Sequence, residues 1–270
     1  MPWRFEGCRQ RIARAKVHRE ALAKTWNNVA TTDFYNVAVR VEDDGTGGIW
    51  LKPNYDPDFA HIAALQLGEM LYQLRAALDG CVYQAATIDS GKNPPPNERN
   101  LEFPIVASKT DFQKSVARIK PLAQKRRDII ESVQPYNVPK LAPEHMVFNF
   151  NRTFGILNDW ARKDRHRKLH VVGSWASNAL PKIRCPAGTS LAHIKIIESG
   201  FLESESQIAA FKLTGYAPHM KVQANPGLDL DMGINELPLP CADNDTLGNR
   251  LRAMLIATYS VVRSLEDSFD

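Results

Sequence analysis

The stretch Leu67-Gly68-Glu69-Met70-Leu71-Tyr72-Gln73-Leu74-Arg75-Ala76-Ala77-Leu78-Asp79-Gly80-Cys81-Val82 decides how this chain is read. It lies inside a longer segment, Asp56 to about Thr87, in which Ile62, Leu65, Met70, Leu71, Leu74, Leu78, Cys81 and Val82 recur at helical spacing. Asp56 or Asp58 supplies the N-terminal cap. A helix of this length with so much apolar surface needs other elements to cover it, and it is expected to organise a helical core.

Upstream, the spacing of Ile12, Ala15, Val17, Leu22 and Trp26 predicts a first helix from about Gly7 to Asn28. Phe34 to Glu42 alternates in part and reads as a strand; Asp43-Asp44-Gly45-Thr46-Gly47-Gly48 is a turn signal, and Ile49-Trp50-Leu51 begins a second strand. A β-hairpin is therefore expected over about 34–52. Downstream, Gly91 to Asn100, with Pro94-Pro95-Pro96, is an exposed loop, and Phe103-Pro104-Ile105 is a short extended anchor. Helices are expected at Lys109–Ile119, at Pro121–Val133 and from His145 to about Lys168. Strands are expected at Ile183–Cys185, Ala192–Glu198, Gln207–Thr214 and His219–Gln223, before an amphipathic helix from Leu247 to Phe269. The fold class is α+β: one domain over 1–270, with a helical core (about 1–172) that contains the hairpin, a β-rich segment (about 180–240) and a closing helix (about 247–269). No alternating strand–helix series supports a doubly wound sheet.

With 270 residues, 44% hydrophobic and 24% charged, the chain has the composition of a soluble globular protein. No apolar run reaches the roughly 18 residues that cross a bilayer. Met1-Pro2-Trp3-Arg4-Phe5-Glu6 lacks the apolar core of a signal peptide. Cys8, Cys81, Cys185 and Cys241 stand far apart, without zinc or redox spacing, so reduced thiols in a cytoplasm are expected. The net charge of +4 is unevenly spread: Arg4–Lys24 and Lys109–Arg127 are strongly basic, whereas Glu198–Asp245 is acidic. That admits RNA or another anionic partner, or an electrostatic match within the chain. Phosphate-binding glycine loops and the Gly-x-Ser-x-Gly elbow are absent, and no cofactor is expected.

Two groups of residues can carry chemistry. Arg75 and Asp79 stand four apart on the long helix, at the edge of its apolar face, with Tyr72 and Tyr83 continuing nearly the same stripe. They are either an ion pair or an arginine and a carboxylate that serve a site. The second group is Asp164-Arg165-His166-Arg167-Lys168-Leu169-His170. Here His166 can act as general base, Arg165 or Arg167 can neutralise a phosphate, and Asp164 or Asp159 can fix the imidazole tautomer. Those are the parts of a metal-free RNA-cleaving site in which the 2′-hydroxyl is the nucleophile. Equally, the same charges can lock packed helices together. His166 and His170 also have the i,i+4 spacing of a metal pair, but the adjacent cations oppose a dication and no metal is expected.

Four ordered motifs carry a resemblance: Leu74-Arg75-Ala76-Ala77-Leu78-Asp79, Phe103-Pro104-Ile105, Gln134-Pro135-Tyr136 and Asp164-Arg165-His166-Arg167. Over about Phe34 to Val172 the chain resembles an abundant group of uncharacterised bacterial proteins with motifs of the form LRxALDH, FPI, QPY and DKHR. Arg165 replaces the usual Lys of that group, and Gly80 stands where it often has His. A second resemblance is to HEPN domains, helical bundles that include RNases with an arginine followed by a histidine after four to six residues. Arg165 and His170 have that spacing. The resemblance implies an RNA-binding or RNA-cleaving protein, in which His166 acts with Arg165, Arg167 and Asp164 while Arg75, Asp79 and His170 bind substrate. If Arg75 and position 80 form the catalytic pair in relatives, Gly80 makes this chain an inactive member.

Overall fold

The computed structural model describes residues 4–30, 34–138, 149–166, 171–177, 180–197, 199–202, 204–234 and 246–270. Its contacts divide the chain into two compact units: unit 1 is Met1–Ala23, Ala64–Leu169 and Pro240–Asp270, and unit 2 is Lys24–Ala63 and His170–Leu239. The expected α+β class is observed, with helices concentrated in unit 1 and strands in unit 2.

The helices of unit 1 lie on α1 (Glu6–Ala30), α2 (Pro57–Ser90), α3 (Lys109–Ser115), α4 (Gln124–Ser132), α5 (Phe150–His166) and α6 (Leu247–Asp267). The first two also extend into unit 2. Asp56 accepts the Asp58 N–H at 2.8 Å and starts α2, as its position predicts. Leu67, Met70, Leu71, Leu74, Leu78, Cys81 and Val82 of α2 are fully buried. Ser108 caps α3 and Thr246 caps α6, each accepting the N–H three residues on. The helix expected at Lys109–Ile119 tightens into a 3-10 turn from Val116. Burial pushes the Cys8 thiol up to about 11 and raises that of Cys81 as well, which leaves both as apolar core residues rather than nucleophiles.

A buried ion pair joins two elements of this unit. Arg126 of α4 forms a two-pronged pair with Asp89 of α2, one prong Nε to Oδ2 at 2.8 Å and the other Nη2 to Oδ1. The guanidinium also lies 3.6 Å from the Phe269 ring centroid and donates to Ser268 O at 3.0 Å. Hence Arg126 neutralises a buried carboxylate, stacks on an aromatic face and satisfies a carbonyl just past the end of α6.

Unit 2 is antiparallel. Its four-stranded sheet runs in the order β1 (Tyr35–Val41), β2 (Thr46–Pro53), β7 (Ser206–Thr214), β5 (Ser190–Ile196). A three-stranded sheet orders β6 (Ser199–Leu202), β3 (Val171–Ser177) and β9 (Leu228–Ile234); β4 (Lys182–Arg184) pairs with β8 (Gln223–Asn225). Phe34, Ile49, Leu51, Leu202, Ile208, Phe211 and Leu213 form the buried cluster beneath the larger sheet. Trp26, Phe34, Tyr55 and Phe59 pack ring to ring beside it, with Phe34 stacked on Tyr55 at 4.7 Å.

The hairpin is present, but its turn is shorter than expected. Gly45 takes φ +83° in the turn, whereas Gly47 and Gly48 belong to β2. A Cβ on Gly47 would stand 2.8 Å from the Phe211 ring, and one on Gly48 2.6 Å from the Trp50 ring. These glycines make room for rings rather than for a reversal of the chain. The strand expected at His219–Gln223 is corrected: a turn closes from Met220 N–H to Ala217 O around Pro218, and β8 starts only at Gln223. Strands β3, β6 and β9 were not anticipated. The start of the helix expected from His145, and residues 167–170, lie outside the described residues.

Arg126→Ala is expected to cost about 3–5 kcal/mol in a denaturant titration, because it strands a buried carboxylate. Burial works against the Asp89 charge, but the hydrogen bonds from Arg126 and the Ala123 N–H outweigh it and hold the carboxyl below its ordinary value of 3.8. The pair's contribution is therefore present above that value and is lost as pH falls through the lower folded pKa. Acid titration of Asp89→Asn should show a correspondingly weaker dependence.

Candidate functional site

The Phe103–Val106 segment is largely buried and belongs to no helix or strand pairing among the described residues, so its main-chain groups need side-chain partners. Asp79 Oδ1 accepts the Phe103 N–H at 2.9 Å, and Arg75 Nη2 donates to Phe103 O at 3.2 Å. Gln134, which is fully buried, accepts the Val106 N–H at 3.0 Å and donates to Pro104 O at 2.8 Å and Ile130 O at 2.9 Å. Asn158 of α5 donates to Ile105 O at 3.5 Å. Three of the four sequence motifs thus meet in one clamp.

Arg75 is only 11% exposed and also approaches Asp79 and Glu102, at 3.4 Å each. Its Nη1 is buried without a hydrogen-bond partner among the described residues. Burial raises the Asp79 carboxyl above its ordinary range, while Arg75 and the Phe103 N–H oppose that shift. Glu102 is shared with Arg118 at 2.7 Å. Arg75 and Asp79 thus form the i,i+4 ion pair, and both also hold the main chain of Phe103.

Beside the clamp, a cleft of about 800 Å³ opens within unit 1. Its floor is one stripe of α2, with Leu65, Glu69, Tyr72, Ala76, Asp79 and Tyr83. Arg11 of α1 stands at the wall, and Ala161, Asp164 and Arg165 come from α5. Tyr72 is 59% exposed and Leu65 62%. Asp164 sits against the backbone of α2: a Cβ on Gly68 would fall 2.5 Å from its Oδ2. The lining mixes Arg11, Arg75 and Arg165 with Glu69, Asp79, Glu102 and Asp164, so it is not a positive funnel.

Of the residues predicted for the site, Arg75, Asp79, Asp164 and Arg165 converge on this cleft. His166 is the last residue of α5, is exposed, and is not among the residues lining the cleft. Arg167 and His170 lie outside the described residues. Sequence reasoning missed Arg11, Glu69 and Glu102; only the Tyr72–Tyr83 stripe pointed toward Glu69, which continues it at helical spacing. No group of three or more His, Cys, Asp and Glu suited to a metal occurs among the described residues, and none of their helices is long and apolar enough to cross a membrane. No protein-family model, curated protein or solved structure matches the chain.

Gln134→Leu removes three hydrogen bonds and leaves buried main-chain groups unpaired, and should cost about 3 kcal/mol or more by chemical denaturation. In a double-mutant cycle, Arg75→Leu and Asp79→Leu should couple by about 1 kcal/mol, because both hold Phe103.

Proposed function

We propose that this chain is a non-catalytic binding protein in which Arg75 and Asp79 form a structural lock and the adjacent cleft of unit 1 takes a small anionic ligand with an apolar or aromatic body. One observation carries this reading: Arg75 and Asp79 are occupied by the two main-chain groups of Phe103, while the cleft beside them is also lined by the exposed Arg165. Arg165 is exposed and has no ion pair among the described residues, and among them Arg11 is held by the Gln73 amide, at 3.3 Å. A carboxylate or phosphate oxygen supplies an acceptor for these two lining cations. Leu65, Tyr72 and Tyr83 offer apolar and aromatic surface, and the volume falls within the range of small-molecule sites, roughly 300–1,000 Å³.

The RNA-cleaving alternative draws less support. It needs a proton-transfer group beside the phosphate ligands, and His166 stands outside the cleft lining. The mixed charge of the lining is also a poor match for a polyanion.

Phenyl phosphate and phenylacetate are suitable probes. Either should raise the melting temperature of the wild-type protein, and the shift should shrink in Arg165→Ala and in Tyr72→Ala. His166→Ala should bind like wild type and change stability by less than about 0.5 kcal/mol. Cleavage of RNA by the wild-type protein that disappears in His166→Ala would overturn the reading.

A further inference from the structure

The four-stranded sheet of unit 2 has two chemically distinct faces. One is apolar and buried, through Ile49, Leu51, Phe211 and Leu213. Alternation along the strands turns the intervening residues the other way. Cross-strand register places Arg40 beside Gly48, Trp50 beside Gln207 and Lys52 beside Asn36. It likewise places Lys212 between Thr46 and His193, and Lys195 beside Ala210. No strand position on this second face is an aspartate or glutamate.

The cations surround an aromatic plate. Trp50 lies over Gly48, where even a Cβ would collide with the ring, and the Arg40 guanidinium is 4.8 Å from the indole centroid. Lys52 and Lys195 are exposed and make no ion pair among the described residues. Among the described residues, acids approach from the margins: Glu205 meets Arg40 at 2.5 Å, and Asp44 of the hairpin turn meets Lys212 at 2.7 Å. Such exposed pairs are weak and exchange readily for a phosphate.

An aromatic ring set among four cations, of which Lys52 and Lys195 have no ion pair among the described residues, matches single-stranded nucleic acid, whose bases stack while its phosphates meet the cations. A duplex hides its bases and offers only its phosphates to such a face. An acidic peptide uses the lysines but has no base to lay on Trp50, and an anionic membrane calls for inserted apolar side chains, which this face lacks. We infer that the outward face of the β1-β2-β7-β5 sheet binds single-stranded nucleic acid, with Trp50 stacking a base and Arg40, Lys52, Lys195 and Lys212 contacting the backbone. This site is separate from the ligand proposed for the cleft and stands whether or not that ligand is found.

Fluorescence anisotropy of a labelled single-stranded RNA with the whole protein, from about 50 to about 200 mM salt, tests it. Lys52→Glu/Lys195→Glu changes two exposed side chains and should leave the melting curve unaltered while weakening binding at least about tenfold. If the two lysines make one phosphate contact each, the logarithmic salt slope should become shallower by about 1.4. Trp50→Leu should lose about tenfold with the slope retained, and Trp50→Phe should recover part of the loss. The inference is overturned by absence of wild-type binding at the lower salt, by binding that is indifferent to the lysine reversals, or by equally tight binding of a duplex of the same length. Preference for phosphatidylserine vesicles over the RNA would also sink it.

Discussion

Extended chain that crosses a helical core without a partner strand brings polar main-chain groups to a place where water cannot serve them. In this protein the Phe103–Val106 segment sets that constraint, and side chains drawn from distant parts of unit 1 answer it. Arg75 and Asp79 come from the long helix, Gln134 from the turn after α4, and Asn158 from α5. Each partner is specific to one or two main-chain atoms, so the segment fixes where those elements lie along one another. The cleft follows from this arrangement. Its floor is the stripe of α2 left uncovered once Phe103 has been secured, and Glu102 at its end is held by the same arginine.

Identical residue types do opposite work according to how much water reaches them. Arg126 and Arg75 are largely buried, and their surroundings are built from carboxylates, carbonyls and an aromatic face. Losing a partner there leaves a charge that the interior cannot solvate. Arg165 is exposed and unpaired among the described residues, and Arg40 has one solvent-exposed partner that is easily replaced. The buried arginines are therefore tied to neighbouring groups, whereas the exposed ones stay accessible to solvent.

Periodicity made the helices legible because burial imposes it directly on sequence. The long apolar run of α2 and its cap, the amphipathic pattern of α6, the hairpin and the Phe103 anchor all followed from local pattern. Strand β9 carries a clear alternation in Leu228, Leu230, Met232 and Ile234, interrupted in appearance by Asp229 and Asp231 on its other face. Strand β3 gave a weaker signal, with Gly173 and two serines in seven residues. The clamp was not legible, since Gln134 binds main-chain atoms 28 and 30 residues away and no side-chain pattern records them. Adjacency also misled: His166 follows Arg165 directly, but one residue turns a helix by about 100° and faces the next side chain elsewhere.

The indole of Trp50 over Gly48 has a consequence for how this sheet tolerates sequence drift. Glycine is a poor strand former, and the propensity it forfeits is offset only while the ring occupies the space above it. The two positions are therefore coupled in what side chains they accept. A side chain at 48 meets both that ring and the Gln207 amide, 2.5 Å from the same Cβ position, so removing either one alone leaves a clash. A residue larger than glycine at 48 therefore asks for a smaller one at 50 and a displaced Gln207 side chain together.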